Sequence, residues 1–207
     1  MLWLIFDTET TGLPPKNKII TPETIQEWPH IVQFSFSLFN TDTLKITEYD
    51  YIIYAHDIPE ESTKIHGITK SMNKQLGFNF PCVYDIFKLC LDQCDLLIGH
   101  NISFDIQMLM AQCLRCNIPF TLEKPTICTM KSTTRLCNLP RMKWPNLNEL
   151  HRTLFNESVI NLHNSMIDVI VCLRCYYWIV YKKDLFELKK SYKIRVPTIK
   201  EITNTSE

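Results

Sequence analysis

The fold of this chain is decided by its opening stretch, Leu2-Trp-Leu-Ile-Phe-Asp7-Thr-Glu9-Thr-Thr-Gly12. The uninterrupted apolar run before Asp7 predicts a strand that is buried on both faces. Because residues i and i+2 of an extended chain share a face, Asp7 and Glu9 should lie side by side at the end of this strand. Carboxylates this close require a proton or a cation between them, and hard divalent cations favour oxygen ligands. The alternative is that both residues simply open a solvated turn.

The length and composition indicate one soluble, intracellular domain. A chain of 207 residues can form one domain with a substantial core but is short for two. Its 45% hydrophobic and 21% charged residues are average for globular proteins, which argues against disorder and against a membrane protein. The opening apolar run is too short for a signal peptide, and no later stretch approaches an uncharged membrane span. Nine cysteines, an odd number partly within apolar segments, predict reduced thiols.

The next part of the chain alternates between apolar and polar residues. Residues 31–39 and 45–54 show this pattern and are joined by the turn sequence Asn40-Thr-Asp-Thr43. Together with the first strand they predict an antiparallel meander of three strands. Residues 14–29 contain four prolines and little periodicity, so they predict a loop beside the carboxylates.

The rest of the chain alternates short apolar strands with helical patterns. Short buried strands are predicted at residues 95–100 and 126–129. Five helices are predicted from apolar stripes or from start and stop signals, at residues 59–67, 82–91, 103–117, 146–154 and 166–182. Ser103 is a plausible N-cap for the third of these helices, which would follow its strand directly as a βα unit.

Two more carboxylates and a histidine stand at helix starts. Asp105 falls in the first turn of a predicted helix, where it could merely complement the helix dipole. Asp168 comes three residues after Ser165 at the head of the last helix and could merely complete a cap. His163 and Asp168 would lie roughly 140° apart on one helix. They can converge if His163 lies in the preceding loop, as the Asn164-Ser165 cap signal suggests.

The order of these pieces resembles the DEDDh exonucleases, the proofreading-type branch of the ribonuclease H-like superfamily. The resemblance covers about residues 2–182 and rests on three motifs in order: Asp7-Thr-Glu9-Thr-Thr-Gly-Leu-Pro14, Gly99-His-Asn101-Ile-Ser-Phe-Asp105 and His163-Asn-Ser-Met-Ile-Asp168. Two weaker matches are Trp28-Pro-His-Ile-Val-Gln33 and Lys64-Ile-His66-Gly-Ile-Thr69. It implies an α/β, ribonuclease H-like mixed sheet, with an antiparallel three-strand meander plus parallel strands, flanked by helices. The domain would span residues 1–182, with residues 183–207 a basic extension of the same domain or a tail.

The same resemblance implies a metal-dependent 3′→5′ exonuclease that releases nucleoside 5′-monophosphates by a two-metal mechanism. Asp7 would bridge both metal ions, Glu9 and Asp168 would hold the ion that activates water, and Asp105 would hold the other. Two Mg²⁺ ions suit such a site, with Mn²⁺ as a substitute. His163 would be the general base, since histidine titrates near physiological pH. Its alternative role is that of a loop residue hydrogen-bonded to backbone.

Substrate-binding residues are also implied by the resemblance. The backbone of Thr10 and Thr11 and the side chain of Leu13 would meet the terminal nucleotide, while His66 and Asn101 would line its pocket. The alternatives are that Leu13 caps the core, that Asn101 is a turn residue and that His66 is a helix C-terminal charge. A single-stranded 3′ end bound by stacking and backbone contacts predicts weak sequence preference.

The sequence leaves the substrate class open. DNA is slightly favoured, and the alternatives are exoribonuclease or RNA 3′-end trimming activity and a polymerase-associated nucleic-acid-binding module. The formal net charge of zero favours neither, because an acidic pocket and basic rims can cancel in the sum. Basic side chains are concentrated in residues 182–200 and at Lys131, Arg135, Arg141 and Lys143. They would form either a surface that binds along the nucleic-acid backbone or an ordinary solvated surface.

Two identical Cys-Leu-Arg-Cys tetrapeptides occupy residues 113–116 and 172–175. Their spacing would suit a zinc site. Both lie in apolar helical segments, however, whereas zinc knuckles usually come from turns. We therefore predict core packing, and a redox switch between the pairs would require them to be adjacent.

Overall fold

A five-stranded mixed sheet forms the centre of the computed structural model, which describes residues 1–188. Its strand order is β3-β2-β1-β4-β5, with β1 antiparallel to β2 and parallel to β4. The strands are β1 Leu2–Thr10, β2 Ile31–Asn40, β3 Ile46–Ile52, β4 Leu96–Gly99 and β5 Thr126–Cys128. The predicted meander with additional parallel strands is confirmed.

Helices cover the sheet. Those that the sequence predicts are α1 Glu60–His66, α3 Phe80–Gln93, α4 Ile102–Arg115, α7 Leu147–Phe155 and α8 Ser165–Tyr181. Those that it missed are α2 Lys70–Leu76, α5 Thr129–Ser132, α6 Thr134–Cys137 and α9 Leu185–Leu188. The missed helices are four to seven residues long, too short for an apolar stripe to repeat. Within residues 1–188, none of the helices is both long and apolar enough to cross a membrane.

Strand β1 explains why the opening run is apolar without interruption. Trp3 and Ile5 are buried in a core with Phe39 of β2 and with α7 and α8. Leu4 and Phe6 are buried in the core on the other side, with α3 and α4. Burial of each of these side chains contributes about 1.5–3 kcal/mol to the free energy of folding.

The expected N-cap at Ser103 is wrong. Helix α4 begins at Ile102, and Asn101 occupies the N-cap position with φ 64° and no side-chain capping bond. Asparagine tolerates this left-handed backbone better than most residues, so the turn from β4 into α4 is tighter than the capping signal suggested. Ser103 lies inside the first turn of the helix.

The proline-containing loop between β1 and β2 is fastened from α4. It contains a single 3₁₀ turn, Ile25–Glu27, and buries the side chains of Ile25 and Trp28. The Nη2 group of Arg115, at the end of α4, donates to the carbonyl oxygens of Ile25 at 3.1 Å and Trp28 at 2.9 Å. The loop is therefore irregular but anchored.

The two Cys-Leu-Arg-Cys segments lie in different cores. Cys113 is buried in the core that α4 shares with α3, whereas Cys172 and Cys175 are buried in α8 in the other core. A shared metal or disulfide between the two pairs is therefore not possible across the sheet. Their packing agrees with the predicted core role.

The chain continues to pack after α8. Asp184 accepts a hydrogen bond from Nη2 of Arg174 at 2.6 Å, and Leu185 is fully buried. Asp184 and Leu185 therefore pack with α8 immediately after the predicted domain boundary at residue 182. Most of the basic stretch at residues 182–200 lies outside the described residues.

Candidate active site

The first two carboxylates come from the end of β1. The strand extends to Thr10, so Asp7 and Glu9 lie within it rather than after it, opposite Ser35 and Gln33 of β2. The ladder has an irregularity between Glu9 and Thr10, where pairing with β2 skips a residue. The solvated-turn alternative is wrong, because Glu9 is only 9% exposed.

Asp105 reaches the same place from the first turn of α4. It is 2% exposed, and its Oδ1 atom accepts hydrogen bonds from the Thr8 backbone N–H at 3.0 Å and the Thr8 hydroxyl at 2.8 Å. Thr8 sits between Asp7 and Glu9 on β1, so these bonds join the α4 carboxylate to the strand that carries the other two. Three carboxylates therefore meet at one point of the sheet.

Asp168 and His163 approach from the start of α8. His163 lies in the preceding loop with φ 73°, and its backbone N–H donates to Oδ2 of Asp168 at 3.3 Å. Asn164, rather than Ser165, is the N-cap, and it accepts from the N–H of Ile167. The predicted convergence, with the histidine in the loop and the aspartate in the first turn, is what the structure contains. Potential ligand atoms of Glu9, His163 and Asp168 all lie within 4.8 Å of one another.

A buried polar network beneath α8 holds this loop against the sheet. The Ser165 hydroxyl bonds to that of Ser35, and the Ser165 N–H donates to Oε1 of Gln33 at 3.2 Å. Gln33 and Ser35 in turn donate to Asp50 of β3 at 2.8 and 2.7 Å. Sequence reasoning missed this role, although the polar residues on alternate positions of β2 were its signal.

All four carboxyl groups have raised pKa values. Burial, followed by the charges of Asp105, Asp168 and Glu9, raises the pKa of Asp7 well above its ordinary value. Burial and the charges of Asp168 and Asp105 raise the pKa of Glu9 to about 8. Burial raises the pKa of Asp105 to about 7 against the opposing hydrogen bonds from Thr8, and that of Asp168 to about 7 against the His163 N–H. The cluster therefore lacks compensating positive charge.

The residues fit divalent cations. The Oδ1 atom of Asp168 is buried and has no hydrogen-bond partner among the described residues. No lysine or arginine is among the described residues that line the surrounding cleft. A cluster of carboxylate oxygens with a histidine at its edge is a donor set that Mg²⁺ or Mn²⁺ accepts. A cation would supply the compensation that the protein side chains do not.

The carboxylates line a cleft of about 410 Å³ that also contains most of the predicted substrate-binding residues. Thr10, Leu13, His66 and Asn101 all line it. Leu13 is 83% exposed, so the alternative that it caps the core is wrong. Thr11 does not line the cleft, because its N–H donates to the His30 carbonyl and its own carbonyl accepts from Ser62.

His66 is buried in the cleft wall. Its Nδ1 atom accepts from the Ile68 N–H at 3.1 Å, and its Nε2 atom is buried without a protein partner among the described residues. Burial lowers the pKa of His66, which argues against the alternative of a helix C-terminal charge. An N–H on Nε2 is therefore available for a bound molecule.

Six more cleft residues were not singled out from sequence: Thr8, Gly12, Ser62, Ile65, His100 and Phe104. His100 bonds through Nδ1 to the Thr129 hydroxyl at 2.9 Å and through Nε2 to the Pro145 carbonyl at 3.0 Å. Burial lowers the pKa of His100 to about 4, so its ring is neutral at physiological pH. Nothing in the local sequence predicts these contacts, since both partners lie 29 or more residues away.

Comparison with known proteins identifies a family. The model named RNase_T and described as "Exonuclease" matches residues 4–176. No curated protein sequence matches the chain. Among solved structures, the nuclease domain of 3′hExo, described as a DEDDh family member bound to rAMP, superposes with a TM-score of 0.68. It is 18% identical, and the match covers 89% of this chain and 94% of that one.

Two further solved structures share the fold. Exonuclease X, in complex with 5′ overhanging duplex DNA, has a TM-score of 0.56 at 20% identity, covering 88% of this chain and 95% of that one. Exonuclease I from Methylocaldum szegediense has a TM-score of 0.58 at 16% identity, covering 92% of this chain but 43% of that one. The predicted ribonuclease H-like fold is thus confirmed.

Proposed function

This chain belongs to the exonuclease family, and we propose that it hydrolyses phosphodiester bonds at the 3′ end of a nucleic-acid strand to release nucleoside 5′-monophosphates. The observation that carries the proposal is the convergence of Asp7, Glu9, Asp105, Asp168 and His163 in one cleft. The domain that carries this activity would comprise residues 1–182, with the residues that follow as an extension of the same domain.

The four carboxylates would hold the divalent cations. When bound, such cations stabilise negative charge on the attacking and leaving oxygens of a phosphodiester and make water a better nucleophile. The other side chains of the protein hold these carboxylates in position. Thr8 fixes Asp105 against β1, and the network beneath Ser165 fixes Asp168 and the His163 loop against β2.

His163 would act as the general base. Its backbone N–H holds Asp168, which leaves the imidazole available to accept a proton from the attacking water. The residue is exposed and lies in a loop, so the ring can reach a water that enters with the substrate. The proton would pass to a ring nitrogen of His163 and then to solvent.

The terminal nucleotide would bind in the rest of the cleft. Exposed Leu13, with Ile65 and Phe104, offers apolar surface on which a base can stack. Nε2 of His66 and the Asn101 amide can hydrogen-bond the sugar or base edge. Because stacking suits every base, we infer weak sequence preference, and we favour DNA slightly over RNA.

The test is a time course on 5′-labelled single-stranded DNA and RNA of equal sequence. In Mg²⁺ we expect a ladder that shortens from the 3′ end, and none in EDTA or for Asp7→Ala. Asp85→Ala, at an exposed position of α3, is the matched control and should behave like the wild type. Faster shortening of RNA would make the chain an exoribonuclease. No shortening of either strand in Mg²⁺ or Mn²⁺ would contradict the proposal and favour a binding module that works with a polymerase or another partner.

A further inference from the structure

Residues 129–145, called here the basic segment, carry a local excess of positive charge. They include Lys131, Arg135, Arg141 and Lys143 and no aspartate or glutamate. The whole chain has 22 basic and 22 acidic residues, so this charge is concentrated rather than general. Such asymmetry creates a local potential that a zero net charge conceals.

The basic segment exposes aromatic and apolar side chains among its cations. All four cations are exposed, and Trp144 is 57% exposed. The Lys131 ammonium lies 5.7 Å from the centroid of the Trp144 ring. Leu136 and Met142 are also large exposed apolar residues. Cations beside an exposed aromatic ring are the combination that binds single-stranded nucleic acid, since phosphates contact the cations and bases stack on the ring.

Both ends of the basic segment are attached to the wall of the cleft. His100, which lines the cleft, bonds to Thr129 at one end and to Pro145 at the other. Its neutral ring donates from Nε2 to the Pro145 carbonyl and accepts at Nδ1 from the Thr129 hydroxyl. Trp144 and Lys131 each lie within two residues of these attachment points. The basic segment is therefore held at both ends to a residue of the wall of the proposed catalytic cleft.

The backbone of the basic segment is strained where it carries Arg141. Arg141 and Met142 have φ values of 57° and 54°, a left-handed conformation that is costly for consecutive residues with side chains. Lys143 forms an ion pair with Glu149 at 2.8 Å, so its charge is partly compensated. Lys131, Arg135, Arg141 and Trp144 remain as the side chains best placed to contact another molecule.

We propose that the basic segment binds the substrate strand on the 5′ side of the reacting end, by stacking on Trp144 and by phosphate contacts to Lys131, Arg135 and Arg141. This inference rests on the proposed function, because the strand must run from the cleft. It predicts that affinity grows with strand length once a strand is long enough to pass from the cleft to the basic segment.

Two measurements separate this inference from the proposed function. The first is the equilibrium affinity of a 5′-fluorescein single-stranded oligonucleotide of roughly 20 nucleotides in EDTA, where no hydrolysis is expected. Trp144→Ala and the double variant Arg135→Glu/Arg141→Glu should each weaken binding about tenfold. The double variant should also lower the slope of log affinity against log salt, by roughly one for each phosphate that the variant no longer binds.

The second measurement is hydrolysis, in Mn²⁺, of the p-nitrophenyl ester of thymidine 5′-monophosphate. This small substrate can occupy only the cleft. Its kcat and KM should be unchanged in both variants, which also shows that they fold. Lys45→Glu, in the turn between β2 and β3, is the control and should change neither measurement. If Trp144→Ala and the double variant bind the oligonucleotide as tightly as Lys45→Glu does, the inference is overturned. Absence of ester hydrolysis by the wild type would count against the proposed function alone.

Discussion

Two groups of buried charges in this molecule differ in whether groups of opposite charge lie beside them. On α8, the Arg174 guanidinium is 9% exposed and is paired with Asp184 at 2.6 Å and with Glu157 at 3.4 Å. It also lies over the rings of Phe155 and Phe186. In the cleft, four carboxylates are gathered with no lysine or arginine among the described lining residues.

The pKa shifts record this difference. Burial alone would raise the pKa of Asp184, but the hydrogen bonds and charge of Arg174 outweigh it and lower that pKa. In the cleft, burial raises the pKa of every carboxyl group, and the neighbouring carboxylates raise those of Asp7, Glu9 and Asp105 further. The Arg174 cluster is therefore complete as a structural element, whereas the carboxylate cluster requires a further partner, which is the mark of a functional site.

The largest expected effect is on catalysis at the incomplete cluster. Asp7→Asn removes a central carboxylate charge while preserving its shape, so hydrolysis of a 5′-labelled oligonucleotide in Mg²⁺ should fall more than about a thousandfold. The same change relieves repulsion, so the metal-free protein should become more stable at pH 8. Urea denaturation in EDTA measures this gain. Loss of activity together with loss of stability would mean that Asp7 serves the fold rather than the reaction.

His163→Ala should have a smaller catalytic effect. Removing this general base should lower kcat by about a hundredfold to a thousandfold, without removing the cation ligands supplied by the carboxylates. Single-turnover hydrolysis measures the rate. Added Mg²⁺ should still raise the melting temperature of this variant. An unchanged rate would assign proton removal to another group.

The complete cluster should respond in stability and not in catalysis. Asp184→Ala leaves Arg174 buried and only partly paired, so the free energy of unfolding should fall by about 3 kcal/mol. Asp92→Ala is the control, because it removes an exposed pair with Lys88 and should cost less than about 1 kcal/mol. At a temperature where both variants are folded, kcat should match the wild type. Equal costs for the two variants would remove the contrast between buried and exposed pairs.

The smallest effect is the pH dependence of the metal-free protein. A carboxyl whose pKa is higher in the folded chain keeps a proton that the unfolded chain has released, so stability is lost as pH rises toward the folded pKa. The relevant values are about 8 for Glu9 and about 7 for Asp105 and Asp168. Between pH 6.5 and 8 we therefore expect the free energy of unfolding to fall as the pH rises in EDTA.

Mg²⁺ should remove this pH dependence, because a cation favours the ionised carboxylates. His100 and His151 contribute in the opposite sense, because burial lowers their folded pKa values and their contribution to stability is lost toward acid. Starting the series at pH 6.5 limits this opposing contribution. Urea denaturation at each pH provides the measurement. A stability that is flat or rises over this range in EDTA would contradict the charge repulsion proposed for the cleft.

Sequence patterns were sufficient where the physical cause was local. The apolar run of β1 and the alternation of β2 and β3 each predicted an element. The helix predicted at residues 146–154 is α7, which begins with a capping box between Asn146 and Glu149. The convergence of His163 with Asp168 followed from helix geometry and the nearby cap signal.

What sequence could not supply were contacts between distant segments. The link from Ser165 to Gln33 spans 132 residues, and the link from His100 to Pro145 spans 45. The polar alternation of β2 marks Gln33 but not its partner on α8, and no periodic pattern marks the link from His100 to Pro145. The error at Ser103 has a different cause, since a left-handed Asn101 starts the helix two residues earlier without a side-chain cap.

Binding of divalent cations by the carboxylate cluster is the property on which the proposed chemistry depends. Titration of the metal-free chain with Mn²⁺, followed by calorimetry, tests this binding without reference to any substrate. We expect saturable binding of two ions that is weakened in Asp7→Asn and unchanged in Asp184→Ala. Absence of saturable binding, or equal binding by wild type and Asp7→Asn, would contradict the assignment of a metal site to these carboxylates.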